Sequence, residues 1–188
     1  MRWEQLFADL DARFDQLADD QLSAELADRQ RVAVGAVPLT ARLAGAIAHP
    51  VRLRTTSGAV SGVLRQVGPD WALVQEAPGR EALVNLSAVT VIEGLTAATG
   101  RPPTGIGLRL NLRHMLRGIA RDRSPVMVSA PGSDPSGTDI SGTIDRLGAD
   151  FLELAVHAPW EARRAAAVRS VVAIPLGAVA VVRAIPLG

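Results

Sequence analysis

The sequence predicts a mainly β protein with helices (α+β). An N-terminal helix is followed by two tandem units, each a helix plus five short strands bent into a small barrel. Three observations predict this. The phrase SGVLRQVGPDW, Ser61–Trp71, returns as SGTIDRLGADF, Ser141–Phe151. Short segments of alternating apolar and polar residues recur along the chain, split by Gly, Pro and Asp. A length of 188 residues with 48% hydrophobic composition suits one compact domain, or two small ones with modest cores. The expected boundaries are 1–34 for an acidic amphipathic helix, 35–97 for the first barrel and 98–188 for the second.

The N-terminal segment reads as a helix because Trp3, Phe7, Leu10, Phe14 and Leu17 recur at alternating steps of four and three. That spacing makes an a/d seam. The stripe slips after ADDQLS, where Leu22 and Leu26 fall on a shifted face. The seam either packs on the chain's own body or joins a partner or a second copy. Two Phe and one Trp, out of three of each in the chain, gather there and favour the second reading.

A turn near Gly35 and Pro38 ends this segment, and LTARLAGAIAHP suggests a short helix. The stretches VRLRTT, AVSGVLRQVG, DWALVQE and EALVNLSAVTVIEGL then read as about five strands. TAATGRPPTGIG reads as a linker. The order begins again with LRLNLRHMLRGIARDR, in which Leu108, Leu112, Met115, Leu116 and Ile119 share a helical face. PVMVSA, DISGTIDRLG, DFLELAVH and SVVAIPLGAVAVVRA follow as strands.

The two halves superpose by eye. Leu43 and Gly45 match Leu116 and Gly118, Pro50-Val51 matches Pro125-Val126, and Leu86, Ala88 and Val89 match Leu176, Ala178 and Val179. Extra length in the second half is confined to PGSDPSGTD and HAPWEARRAAAVRS, both loop-like, as a duplicated domain requires. Gly62 and Gly142 lie inside strands, where Gly marks a bulge or a sharp bend. Gly68-Pro69-Asp70 and Gly148-Ala149-Asp150 read as tight turns, with Trp71 and Phe151 opening the next strand inward.

VRLRTTSGAVSGVLRQVGPDWALV with ALVNLSAVTVI, and DISGTIDRLGADFLEL with VVAIPLGAVAVV, resemble the Sm-like fold. The likeness lies in the apolar alternation, the bend Gly and the turn Asp, and covers most of residues 37–184. The chain as a whole also resembles a group of proteins from GC-rich bacteria. The resemblance implies an RNA-binding small β-barrel. The Asn that holds a base in that family is missing, since Asp70 precedes WALV and Asp150 precedes FLEL. Any contact with nucleic acid is therefore expected at phosphate.

Composition bounds the chemistry. There is no Cys, which excludes disulfides and thiolate metal sites. All basic residues are Arg, and the formal net charge is +1. Residues 1–31 hold eight acids against four Arg, so an acidic arm precedes a basic body. No apolar run approaches the roughly 20 residues of a membrane helix, and the N-terminus is too charged for a signal peptide, so a cytoplasmic protein without membrane contact is expected. His49, His114 and His157 lack ligand spacing. TGIGLRL lacks the third Gly of a dinucleotide loop, and no Ser sits in a nucleophile elbow. Catalysis, a metal and a cofactor are all expected to be absent.

The best polar constellation is Arg109, Arg113, Arg117 and Arg121, every four residues beside the apolar face. Arg forks suit phosphate or carboxylate, and a plain solvated face is the alternative. Trp160, with Arg163 and Arg164, forms a second cluster in a long loop. Two functions follow from different classes. One is a nucleic-acid (RNA) binding regulator using Arg–phosphate contacts. The other is a protein-interaction scaffold that docks a partner, or a second copy in a dimer or higher assembly, through the N-terminal aromatic helix.

Overall fold

Strand β1, Pro50–Thr55, alternates exposed and buried residues along PVRLRT, with Val51, Leu53 and Thr55 turned inward. That period of two is what a strand with one buried face requires. A computed structural model describes residue 16 and residues 34–131, 139–159 and 168–185. The chain divides into two compact units, Met1–Pro38 and Leu39–Gly188. Every described strand belongs to the second. The expected N-terminal helix and its Trp3, Phe7, Leu10, Phe14 and Leu17 seam lie outside the described residues.

After β1 come β2 (Gly58–Val67), β3 (Trp71–Ala77), β4 (Arg80–Asn85) and β5 (Val89–Glu93). The second half supplies β6 (Pro125–Ser129), β7 (Ile140–Leu147), β8 (Phe151–Val156), β9 (Ser170–Pro175) and β10 (Val181–Ala184). Two α-helices accompany them among the described residues, α1 (Leu39–Ala44) and α2 (Leu112–Asp122).

The expectation of two tandem helix-plus-barrel units is corrected. All ten strands form one open antiparallel sheet in the order β5-β1-β2-β3-β4-β10-β6-β7-β8-β9. Neither half closes on itself. β4 pairs with β3 on one side, and on its other side with β10 of the second half, in the register Val84–Val181, Leu83–Val182 and Ala82–Arg183. The physical reason is the edge. β4 would otherwise present unpaired N–H and C=O groups, and β10 satisfies them while pairing with β6 on its other side.

The cores are joined at the same seam. Ala180 and Val181 from the second half complete the cluster around Leu53, Leu64 and Val84. Trp71 and Leu83 from the first half complete the cluster around Leu116, Ile144 and Leu154. Burying apolar side chains of each half in the other's core ties the seam together at roughly 25 cal/mol per Å² removed from water.

The bends come from close approach. A Cβ at Gly62 would overlap the Gln75 carbonyl, and one at Gly142 would overlap the Ala155 carbonyl. Both long strands also carry a register shift two residues further on, at Leu64/Gln66 and at Ile144/Arg146. A bulge beside a bare backbone increases local twist.

Helix α2 is shorter than its apolar stripe implied. Asn111 occupies the N-cap, and its side chain accepts a hydrogen bond from the His114 N–H at 3.0 Å. The cap starts the helix at Leu112. Leu108 therefore falls in the preceding 3-10 turn, Gly105–Arg109, and is 56% exposed. Arg123 ends the helix in the left-handed region at φ 53°.

Candidate nucleic-acid interface

The four-residue Arg row is divided by the structure. Arg113, Arg117 and Arg121 lie on α2, whereas Arg109 closes the 3-10 turn before it. Arg113 is half-buried, and its Nε donates to the Gly148 carbonyl at 2.8 Å. It ties the helix to the β7–β8 turn and is not a free cation. His114, Arg117, Gly118 and Arg121 are exposed. Their steps of three and four place them on one helical face, opposite buried Leu112 and Leu116. Arg123 is exposed just beyond. Neither Arg117, Arg121 nor Arg123 has an ion-pair partner among the described residues. Trp160, Arg163 and Arg164 lie outside the described residues.

The first turn of α2 is held from the other half. Asp70 Oδ1 accepts from the Leu112 N–H at 2.7 Å, and a carboxylate there suits the positive end of the helix dipole. Trp71 Nε1 donates to the Leu110 carbonyl at 2.6 Å. Trp71 is 1% exposed, as an inward aromatic should be, but Phe151 is 38% exposed.

Sequence reading missed the polar seam between β4 and β10. Arg183 donates from Nε and Nη2 to the two Glu76 carboxylate oxygens at 3.0 and 3.2 Å. Its Nη1 donates to Ser129 Oγ at 3.2 Å and Asp139 Oδ2 at 3.4 Å. These groups line a cavity of about 440 Å³ with Ser57 and Arg80 at its side. Asn85 was also missed. It is 4% exposed, and its Nδ2 donates to the Val179 carbonyl at 2.8 Å while Oδ1 accepts from Ser87 Oγ. A lone Asn or Arg in a strand carries no sequence signal for a partner about a hundred residues away.

His157 is buried, with Nε2 2.9 Å from Thr143 Oγ1 and Nδ1 2.9 Å from the Ala158 carbonyl. Both ring nitrogens are satisfied, which suits a core histidine. Among the described residues, no three His, Cys, Asp or Glu side chains gather as metal ligands. No described helix is long and apolar enough to cross a membrane. No family model, no curated protein and no solved structure matches the chain.

Proposed function

We propose that this chain is a non-enzymatic binding protein that contacts the phosphates of a nucleic acid, RNA first, through the exposed face of α2. The observation that carries the reading is the exposed group Arg117, Arg121 and Arg123, with His114 beside it, which has no ion-pair partner among the described residues and is set at one helix surface and its C-terminal end. Guanidinium forks match phosphate oxygens, and such contacts position a nucleic acid without reading its sequence. The repeated phrase and the shared strand order of the two halves support an internal duplication behind the scaffold. The same features support kinship with Sm-like chains.

The test is Arg117→Glu with Arg121→Glu in the full chain. Binding to a labelled single-stranded RNA falls at least tenfold while the circular dichroism spectrum is kept. Unchanged binding sinks the α2 face. A protein-interaction scaffold is the second reading, favoured by Ile106 at 78% and Leu108 at 56% exposure in the 3-10 turn before α2. It predicts no RNA binding even at low salt.

A further inference from the structure

We propose that the cavity at the β4–β10 seam binds a free α-amino acid with an apolar side chain, its ammonium at Glu76 and Asp139 and its carboxylate at Arg80. The inference goes beyond nucleic-acid contact and stands whether or not that reading holds.

Both halves build the site. Ser57 between β1 and β2, Glu76 on β3 and Arg80 on β4 come from the first half. Ser129 on β6, Asp139 before β7 and Arg183 on β10 come from the second. The cavity measures about 440 Å³. Small-molecule sites run from roughly 300 to 1,000 Å³ and favour the interfaces between packed bodies.

Charge decides what enters. Two carboxylates share one guanidinium, since Arg183 gives Nε and Nη2 to Glu76 and Nη1 to Asp139 and Ser129. Ser129 Oγ also donates to Asp139 Oδ1. The cluster keeps one negative charge in excess, on side chains sheltered from most solvent. Water compensates such a charge poorly, so a cation beside it is favoured. Each carboxylate oxygen retains acceptor capacity beyond the bonds it already makes, and an ammonium brings three N–H donors to it. Arg80 lines the same cavity, is exposed, and has no ion-pair partner among the described residues. Its fork fits a carboxylate. A plain anion would meet Glu76 and Asp139, and a plain amine would leave Arg80 unmatched, so a ligand carrying both charges fits best. Ser57 Oγ is buried without a hydrogen-bond partner among the described residues. A side-chain rotation gives it one once the cavity is filled.

The neighbouring space sets the side-chain class. A second hollow of about 190 Å³ shares Glu76, Arg80, Met127 and Arg183 with the cavity and is walled further by Pro159, Ala184 and Ile185. An aliphatic or thioether side chain buries apolar surface against that wall. Glu81 at the same hollow disfavours an acidic one.

The charged set does not come with the repeat. From the matched positions Trp71 and Phe151, Glu76 corresponds to Val156. From Pro50 and Pro125, Ser129 corresponds to Arg54, and from Ser61 and Ser141, Asp139 corresponds to Ala59. Through the registers Leu53–Ile92 and Val128–Val182, Arg183 corresponds to Glu93. The bends and turns of the scaffold occur twice, whereas these four side chains occur together once. They are particular to this cavity.

The test is isothermal titration of the full chain with L-leucine and L-methionine. At least one gives saturable binding and raises the melting temperature. N-Acetyl-L-leucine lacks the ammonium and L-leucinamide lacks the carboxylate. Each binds more weakly than leucine by about tenfold or more, the loss of one charge-assisted contact. Arg80→Gln changes an exposed side chain and keeps the circular dichroism spectrum. It weakens leucine by about tenfold or more and leaves leucinamide unchanged. Arg183 is avoided as a test position because its loss costs stability. Absence of binding by both amino acids, equal binding of leucine and either blocked form, or an Arg80→Gln chain that holds leucine as the parent does each overturns the proposal.

Discussion

The Asp70 carboxylate and the Leu112 N–H, 42 residues apart in sequence, are joined by a 2.7 Å hydrogen bond. A turn of the first half thereby holds the first turn of the helix that carries the basic face. Replacing Asp70 with Ala removes a charged acceptor at a helix start, and should cost about 1–2 kcal/mol of stability. Asp70→Asn, which keeps an oxygen there, should recover part of that. Urea unfolding of the three chains measures both.

Gly68 and Gly148 occupy the same turn in each half, and they should tolerate Ala unequally. A Cβ at Gly68 would overlap the Trp71 ring, which is buried and bonded to the Leu110 carbonyl. A Cβ at Gly148 would overlap the Phe151 ring, which is 38% exposed and can swing aside. Gly68→Ala should cost about 2–3 kcal/mol, in the overpacking range, and Gly148→Ala about 1 or less. Thermal unfolding of the pair decides it, with equal losses contradicting the argument.

Arg183 and Arg146 separate a sheltered ion pair from an exposed one. The Arg183 and Glu76 side chains are 18% and 19% exposed, and the same guanidinium also serves Asp139 and Ser129. Arg183→Met strands two carboxylates and should cost about 2–4 kcal/mol, toward the lower part of the range for broken buried pairs. Arg146 meets Glu153 at 3.7 Å with its side chain 80% exposed, so Arg146→Met should move stability by less than about 0.5 kcal/mol. Denaturant midpoints of the two variants make the comparison.

Arg113 and Arg117 sit one turn apart and should fail differently. Arg113→Ala loses the bond to the Gly148 carbonyl and should lower stability by about 1–2 kcal/mol. Arg117→Ala, exposed and without an ion-pair partner among the described residues, should leave stability within about 0.5 kcal/mol and weaken RNA binding. Measuring midpoint and affinity on both variants separates tether from contact.

Local punctuation made much of the chain legible. Gly62, Gly68, Asp70 and Trp71 announce a bend, a turn and a strand start, and their repetition at Gly142, Gly148, Asp150 and Phe151 exposes the matching halves. The continuous sheet was not legible, because the partner of β4 is an edge about a hundred residues away and any antiparallel strand of suitable pattern could serve. Leu108 was misplaced because the apolar period runs through Asn111, whose cap restarts the chain as helix. Phe151 was misread because the wording that buries Trp71 repeats, while the segment that covers Trp71 meets only the first copy. In the basic row, spacing found Arg117 and Arg121 but could not tell them from Arg113, whose acceptor is a distant carbonyl.

The most direct test of the central claim is a fluorescence titration of the full chain against a short labelled single-stranded RNA at two salt concentrations. The account predicts binding whose log–log salt slope is about −2, since three Arg at roughly 0.7 each release counterions from single-stranded phosphate. Absence of binding at low salt, or a slope near zero, contradicts it.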